Sequence, residues 1–260
     1  MNKLNIVFPA AGKSQRFKDV GVLTPKPLIE VHGISLLHWA ISNFSMNSND
    51  RIFAITLEQD QVKKYFVTNF PKLASQINFI EIDSVTTGPA ATVLHALQYI
   101  DAEESVVIAN TDQYIFSDLK DFLDLIRRKV TDGQLLTMKA EGNQWSFVAR
   151  NELGNVSRVA EKIQISSEAT VGVYGFSKSG DLERAIRKMM ELDGRINGEY
   201  YVAPTYNYLI EENKIIYANY IGDFRIAMQS TGTPGDLKSF ISDPRTEIVS
   251  REILLNYDRI

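Results

Sequence analysis

Four short runs rich in Ile, Val and Phe, at residues 5–8, 51–57, 77–82 and 105–109, alternate with segments of helical spacing at 35–44, 60–70, 89–99 and 119–129. In the last of these segments Leu119, Phe122, Leu123, Ile126 and Val130 fall near one helical face. Strand and helix in alternation leave a chain few ways to fold. Neighbouring parallel strands need long crossovers, the crossovers are right-handed, and both faces of the resulting sheet must be covered. The expectation is an α/β fold, Rossmann-like, with a mostly parallel central sheet and helices on both faces.

The second half follows another pattern. Residues 134–139, 144–149, 156–161 and 171–176 are strand-like, with turns at Glu141-Gly142 and Leu153-Gly154-Asn155. They predict an antiparallel extension over the edge of the sheet. Helices are expected at 180–192 and 202–212, and a further strand at 214–220. Another helix opens at Thr233-Pro234, with Thr as N-cap and Pro at the first position. The tail after Asp243-Pro244 reads as helical and peripheral.

Composition excludes several kinds of chemistry. The chain has no cysteine, so disulfides, thiolate metal sites and cysteine nucleophiles are ruled out. A net charge of -4 gives no support for nucleic-acid binding, and an anionic ligand would need a local basic cluster. No apolar run approaches the roughly 20 residues that span a bilayer. The first apolar run ends by Gly12, too short for a signal peptide. A soluble, cytoplasmic protein that binds neither nucleic acid nor membrane is expected. His32, His38 and His95 lack metal-ligand spacing.

In open parallel sheets ligands bind beyond the carboxyl ends of the strands. Three distinctive loops fall on that rim. The first, Ala10-Ala11-Gly12-Lys13-Ser14-Gln15-Arg16 followed by Thr24-Pro25-Lys26-Pro27, combines small residues with three cations. Small residues admit a phosphate close to the backbone, the cations supply charge, and the flanking prolines restrict Lys26. Together they point to a nucleoside triphosphate, against the plainer reading of a solvated surface loop. A Walker A loop is excluded, because the Gly it needs five positions before Gly12 is Val7. The second loop, Thr86-Thr87-Gly88-Pro89, opens a helix with little side-chain bulk, either for tight packing or for a nucleobase or ribose. In the third, Asp112 follows the apolar strand at 105–109. It is a candidate Mg²⁺ ligand or, alternatively, the cap of a following helical segment.

These motifs in this order resemble the sugar nucleotidyltransferase family, which includes the sugar-1-phosphate pyrophosphorylases. The resemblance rests on Phe8-Pro9-Ala10-Ala11-Gly12-Lys13-Ser14-Gln15-Arg16-Phe17, Pro25-Lys26-Pro27-Leu28, Thr87-Gly88-Pro89-Ala90, Asp112, Glu161-Lys162, Ala169-Thr170-Val171-Gly172-Val173-Tyr174 and Gly232-Thr233-Pro234. It spans about residues 4–240 and looks closest to the bacterial branch linked with capsule and surface-polysaccharide genes.

The resemblance implies a GT-A-like single domain over 1–260. About 1–130 would bind the nucleotide, about 131–240 the acceptor, and 241–260 would be a peripheral tail. It implies transfer of a nucleoside monophosphate from an NTP to a phosphorylated acceptor, a sugar 1-phosphate in the first instance, with Mg²⁺ and release of pyrophosphate. Arg16, Lys26 and Lys162 would be catalytic. Ala10, Ala11, Gly12, Lys13, Ser14, Thr87, Gly88 and Asp112 would hold the nucleotide. Glu161, Lys162, Gly172 and Glu199 would hold the acceptor. Many members carry an Asp before the late Gly-Thr as a second metal ligand. Here that stretch reads Gln229-Ser230-Thr231-Gly232-Thr233, and Asp223 is the nearest upstream candidate beside Asp112. Oligomerisation is left open. Three alternatives stand beside this reading: a CTP-dependent cytidylyltransferase acting on a non-sugar phosphomonoester (phosphocholine or a phosphorylated amino-acid derivative), a GT-A-type glycosyltransferase, and a non-catalytic nucleotide-binding module. The usual Asp-x-Asp of glycosyltransferases is missing, since Gln113-Tyr114 follows Asp112.

Overall fold

The computed structural model describes residues 2–257. The chain begins with β1 (Leu4–Pro9), a short α1 (Gln15–Lys18), the small hairpin β2 (Glu30–Val31) and β3 (Ile34–Ser35), and α2 (Leu36–Ser42). There follow β4 (Arg51–Leu57), α3 (Val62–Asn69), α4 (Pro71–Ala74), β5 (Ile77–Ile82), α5 (Pro89–Leu97) and β6 (Ser105–Ala109). β1, β4, β5 and β6 form the expected parallel unit, in the order β6-β1-β4-β5. Alternate residues of β1 enter opposite cores, as a strand period of two requires. Ile6 and Phe8 pack with Leu37, Phe66 and Phe122, whereas Val7 packs with Phe53, Val93 and Leu182.

After β7 (Gln113–Ile115) and α6 (Lys120–Arg127) come β8 (Gly133–Lys139), β9 (Ser146–Arg150), β10 (Val156–Glu161) and the long β11 (Glu168–Phe176). β11 lies antiparallel to β6 on one side and to β8 on the other, and β9 pairs antiparallel with β10. The register of β11 on β8 shifts between Thr170 and Tyr174, around Gly172 at φ 77°. α7 (Ser179–Glu191) and α8 (Thr205–Glu211) lead to β12 (Ile216–Asp223), which joins β8 in parallel. β13 (Met228–Ser230), α9 (Pro234–Ile241) and α10 (Pro244–Tyr257) complete the chain, and the Thr233 side chain accepts from the Asp236 amide as the N-cap of α9.

Two elements depart from the sequence-based expectation. Asp112 is followed by β7, which pairs with β13, so it caps no helix. A three-residue strand reading Gln-Tyr-Ile carries too little alternation to be recognised. The tail is also tied in: Ile253 of α10 is buried with Phe17, Trp39 and Phe240. Residues 258–260 of that tail lie outside the described residues. No helix among the described residues is long and apolar enough to cross a membrane.

Candidate active site

A cleft of about 760 Å³ opens along the carboxyl ends of β1 and β6. One wall is the loop that leaves β1. Ala10, Ala11, Gly12, Lys13, Ser14 and Arg16 all line it. Ser14 takes a left-handed backbone (φ 56°) that turns the chain into α1, and its Oγ accepts from the Lys26 amide at 3.2 Å. The two ends of the basic loop are therefore joined. Lys26 lies in a single 3-10 turn between Pro25 and Pro27. Its side chain is largely enclosed (17% exposed), and the ammonium lies 3.1 Å from Asp112 Oδ2. Lys13 and Arg16 are exposed and form no ion pair among the described residues, so their charge is free for an anion.

Asp112 is positioned from two directions. Its carbonyl accepts from the Thr231 amide at 2.7 Å, tying it to the stretch after β13. Two residues earlier, the Asn110 amide donates to the Gly172 carbonyl at 2.9 Å. A side chain at Gly172 would collide with Asn110, its Cβ lying 2.6 Å from Asn110 Nδ2. Gly172 thus serves close contact between strand ends.

Gly88 has φ 125°, and a Cβ there would lie 2.5 Å from the Tyr200 nitrogen. The Tyr200 amide donates to the Thr87 carbonyl (2.8 Å), and the Ala90 amide donates to the Tyr200 carbonyl (3.0 Å). These bonds staple the loop before α5 to the segment before α8.

The same cleft is also lined by Glu161, Lys162, Trp145, Glu199, Tyr201 and Phe224. Glu161 is 6% exposed and accepts a short hydrogen bond from Ser146 Oγ. Burial raises its carboxyl above the usual range, against the lowering by Ser146 and Lys162, and nearby Glu199 raises it further. Lys162 also has a left-handed backbone (φ 57°), and its amide donates to the Trp145 carbonyl at 2.9 Å. Its ammonium donates to Tyr201 Oη (2.5 Å), which donates to Glu199 Oε2 (2.5 Å). Trp145 and Phe224 meet edge to face, with ring centroids 5.0 Å apart.

The family of MobA-like NTP transferase domains matches residues 6–163, more than half of the chain. The chain belongs to that family. It is a nucleotidyltransferase. This NTP transferase domain is similar to the nucleoside-diphosphate-sugar pyrophosphorylase of Vibrio cholerae RC9, with a TM-score of 0.76 and 27% identity over 92% of this chain and 100% of that one. The inositol-1-phosphate CTP transferase of T. maritima shares the fold, at 13% identity and a TM-score of 0.70, over 98% and 96% of the two chains. The bifunctional protein GlmU of Methanocaldococcus jannaschii is 24% identical over 220 residues, 82% of this chain. The chain spans about half the length of that curated relative.

Two residues expected in the site of this transferase domain lie elsewhere. Thr87 spends its carbonyl on Tyr200 and does not line the cleft, whereas its neighbour Thr86 and Thr92 do. Asp223 ends β12 outside the cleft, where it accepts from the Tyr220 hydroxyl at 2.8 Å. β13 runs back from the turn after Asp223 and carries the chain into the site, so proximity in sequence misled. A carboxylate of this region that does line the cleft is Asp236, in the first turn of α9. Thr233 Oγ1 (2.8 Å) and Ser230 Oγ (3.3 Å) both donate to its Oδ2. The sequence signal was the acidic residue three positions after the Thr cap, where it reads as helix capping.

Gly232 lies beside the Asp112 carboxylate. A Cβ at Gly232 would lie 3.3 Å from Asp112 Oδ2 and 3.2 Å from Ser230 Oγ, so a side chain would fill the space beside Asp112. Among the described residues no group of three or more His, Asp or Glu forms a metal cage. One or two carboxylates, with phosphate oxygens and water completing the shell, is the donor set that Mg²⁺ commonly takes. Asp112 and Asp236 fit that requirement.

Proposed function

We propose that the protein transfers a nucleoside monophosphate group from an NTP to a sugar 1-phosphate, releasing pyrophosphate and forming a nucleoside diphosphate sugar. The observation that carries this reading is one cleft lined by cations from two separate parts of the chain: Lys13, Arg16 and Lys26 on the loop after β1, and Lys162 after β10. Two polyanions must meet in such a reaction, and the arrangement opposes their repulsion. The names of the Vibrio cholerae and T. maritima proteins, which join a nucleotide to a sugar or an inositol phosphate, support the same class of acceptor.

An acceptor phosphate is largely ionised near neutral pH, its second pKa being about 6. Its oxygen attacks the α-phosphorus directly, so no general base is required, in keeping with a chain that has three histidines and no cysteine. A bond forms from that oxygen to the α-phosphorus. The bond to the bridging oxygen breaks, and that oxygen leaves with pyrophosphate. Arg16 and Lys13 receive the β- and γ-phosphates, and Arg16 stabilises the departing charge. Lys26 spans the α-phosphate and the incoming phosphate. Ala10, Ala11, Gly12 and Ser14 admit the triphosphate to the backbone, and Gly88 admits the base and ribose. Lys162 holds the acceptor's phosphate, while Glu161, Glu199 and the backbone at Gly172 receive its hydroxyls. Mg²⁺, held by Asp112 and Asp236, would supply neutralisation of phosphate charge. The product class is what assembly of capsule or surface polysaccharide consumes, and a cytoplasmic location accords with an NTP substrate.

The test is a matrix of the common NTPs against hexose 1-phosphates, inositol 1-phosphate and phosphocholine, with Mg²⁺ and pyrophosphate detection. Pyrophosphate release that requires a sugar 1-phosphate supports the reading. No release with any pair, or release only with inositol 1-phosphate or phosphocholine, overturns it.

A further inference from the structure

The acceptor end contains a lysine whose ammonium is anchored before any substrate arrives. Lys162 is fixed at its backbone by the bond to Trp145 and at its head by Tyr201. The Lys162 ammonium also lies 4.4 Å from the centroid of the Tyr201 ring, within the range of a cation–π contact. A lysine stem has many rotamers, and ordering it costs entropy when a ligand must do the ordering. Here two anchors do it in advance.

The proton arrangement along this chain of groups has one direction. Lysine has donors only. Tyr201 has a single O–H, and burial, with the bond to Glu199 next, raises its ionisation well above the ordinary phenol range. The phenol therefore keeps its proton and donates it in a hydrogen bond to Glu199, leaving its lone pairs for Lys162. Nor is Tyr201 on a free loop. The preceding residue, Tyr200, is stapled by two backbone hydrogen bonds to the loop carrying Gly88. The position of the lysine head is thus set from the nucleotide side of the cleft.

We propose that Tyr201 is a positioning residue: its hydroxyl, oriented by Glu199, holds the Lys162 ammonium where the acceptor's phosphate enters. The inference rests on the acceptor role proposed above for Lys162. Tyr201 takes no part in bond making. It acts through Lys162 by preorganisation, so its loss raises the cost of binding the acceptor and leaves the nucleotide site as it was.

The test is Tyr201→Phe, which keeps the ring and removes only the hydroxyl. It is assayed by pyrophosphate release with the fastest pair from the matrix above, beside Lys162→Ala and the double variant. Loss of a hydrogen bond to a charged group predicts a rise in acceptor KM of about 10- to 100-fold. KM for the NTP and the melting temperature stay at wild-type values, which a merely structural role would not allow. The double variant is no worse than Lys162→Ala, because both changes remove one interaction. An acceptor KM within twofold of wild type in Tyr201→Phe, or additive effects in the double variant, overturns the proposal. If Lys162→Ala is severe and Tyr201→Phe silent, only the role of Tyr201 falls. If Lys162→Ala itself leaves acceptor KM unchanged, the acceptor role of Lys162 falls, and this proposal with it.

Discussion

Replacing Gly88 with Ala perturbs the contact between the two sides of the cleft through a single carbon atom. The added Cβ would lie 2.5 Å from the Tyr200 nitrogen and 2.7 Å from its oxygen, and 3.2 Å from Glu199 Cβ. All three neighbours belong to one segment, and two are backbone atoms that no rotamer change can move. The backbone angle adds its own cost, since φ 125° is glycine territory. Strain of this kind amounts to about 1–3 kcal/mol. Pushing residues 199–200 away breaks the bonds from Tyr200 to Thr87 and from Ala90 to Tyr200, at about 1 kcal/mol each. The sum is roughly 3–5 kcal/mol, which for a chain of this size lowers the melting temperature by on the order of 10 °C. Thermal unfolding by circular dichroism measures it. Gly12→Ala is the control for stability, because nothing lies within 4 Å of its added carbon. If Gly88→Ala melts within about 2 °C of the wild type, the staple is not the tight contact argued for, and the reasoning is refuted.

Further predictions concern pH and the cation. Burial lowers the His38 imidazole to about 4, so the folded protein keeps it neutral while the unfolded chain takes up a proton below about 6.5. Stability is lost as pH falls through that window, by up to about 3 kcal/mol, and urea titrations at pH 7 and 4 should show His38→Leu losing correspondingly less. Glu161 is shifted in the opposite sense. Its folded pKa lies above the unfolded value of about 4.3, so its contribution is favourable in acid and is lost as pH rises through the folded pKa. Glu161→Gln should therefore be more stable than the wild type at pH 7, with the difference vanishing below about pH 4, while acceptor KM rises. Unfolding curves that shift equally at both pH values would contradict this. Asp236→Asn should weaken Mn²⁺ binding in the presence of NTP by at least about tenfold, read by electron paramagnetic resonance, and Asp223→Asn should not. Equal effects of the two would remove Asp236 from the metal site.

Much of the fold was legible because the parallel strands are buried on both faces. β1, β4 and β6 read as continuous apolar runs, and their loops fall on one rim by topology alone. The basic loop was legible for another reason, as its members lie within one short stretch of sequence. What escaped depends on chain reversals. Asp236 reaches the cleft only because β13 pairs back onto β7, and neither three-residue strand carries a readable pattern. Tyr201 is thirty-nine positions from Lys162 and is brought to it by the staple to Gly88, which no local spacing encodes. Thr87 was misassigned because sequence gives a residue's place in a loop and not which of its groups the backbone consumes. The tail seemed peripheral because partners of Ile253 such as Phe17 and Trp39 lie more than two hundred residues away in sequence.

In the proposed reaction Lys13, Arg16, Lys26 and Asp112 act together on one polyphosphate. The most direct test is turnover of purified Lys26→Ala with NTP, acceptor and Mg²⁺ all saturating. Removing one fixed charge that acts on the transition state should lower pyrophosphate release by roughly 10²–10³-fold, with the protein folded as before. Turnover near the wild-type value under those conditions would contradict the account.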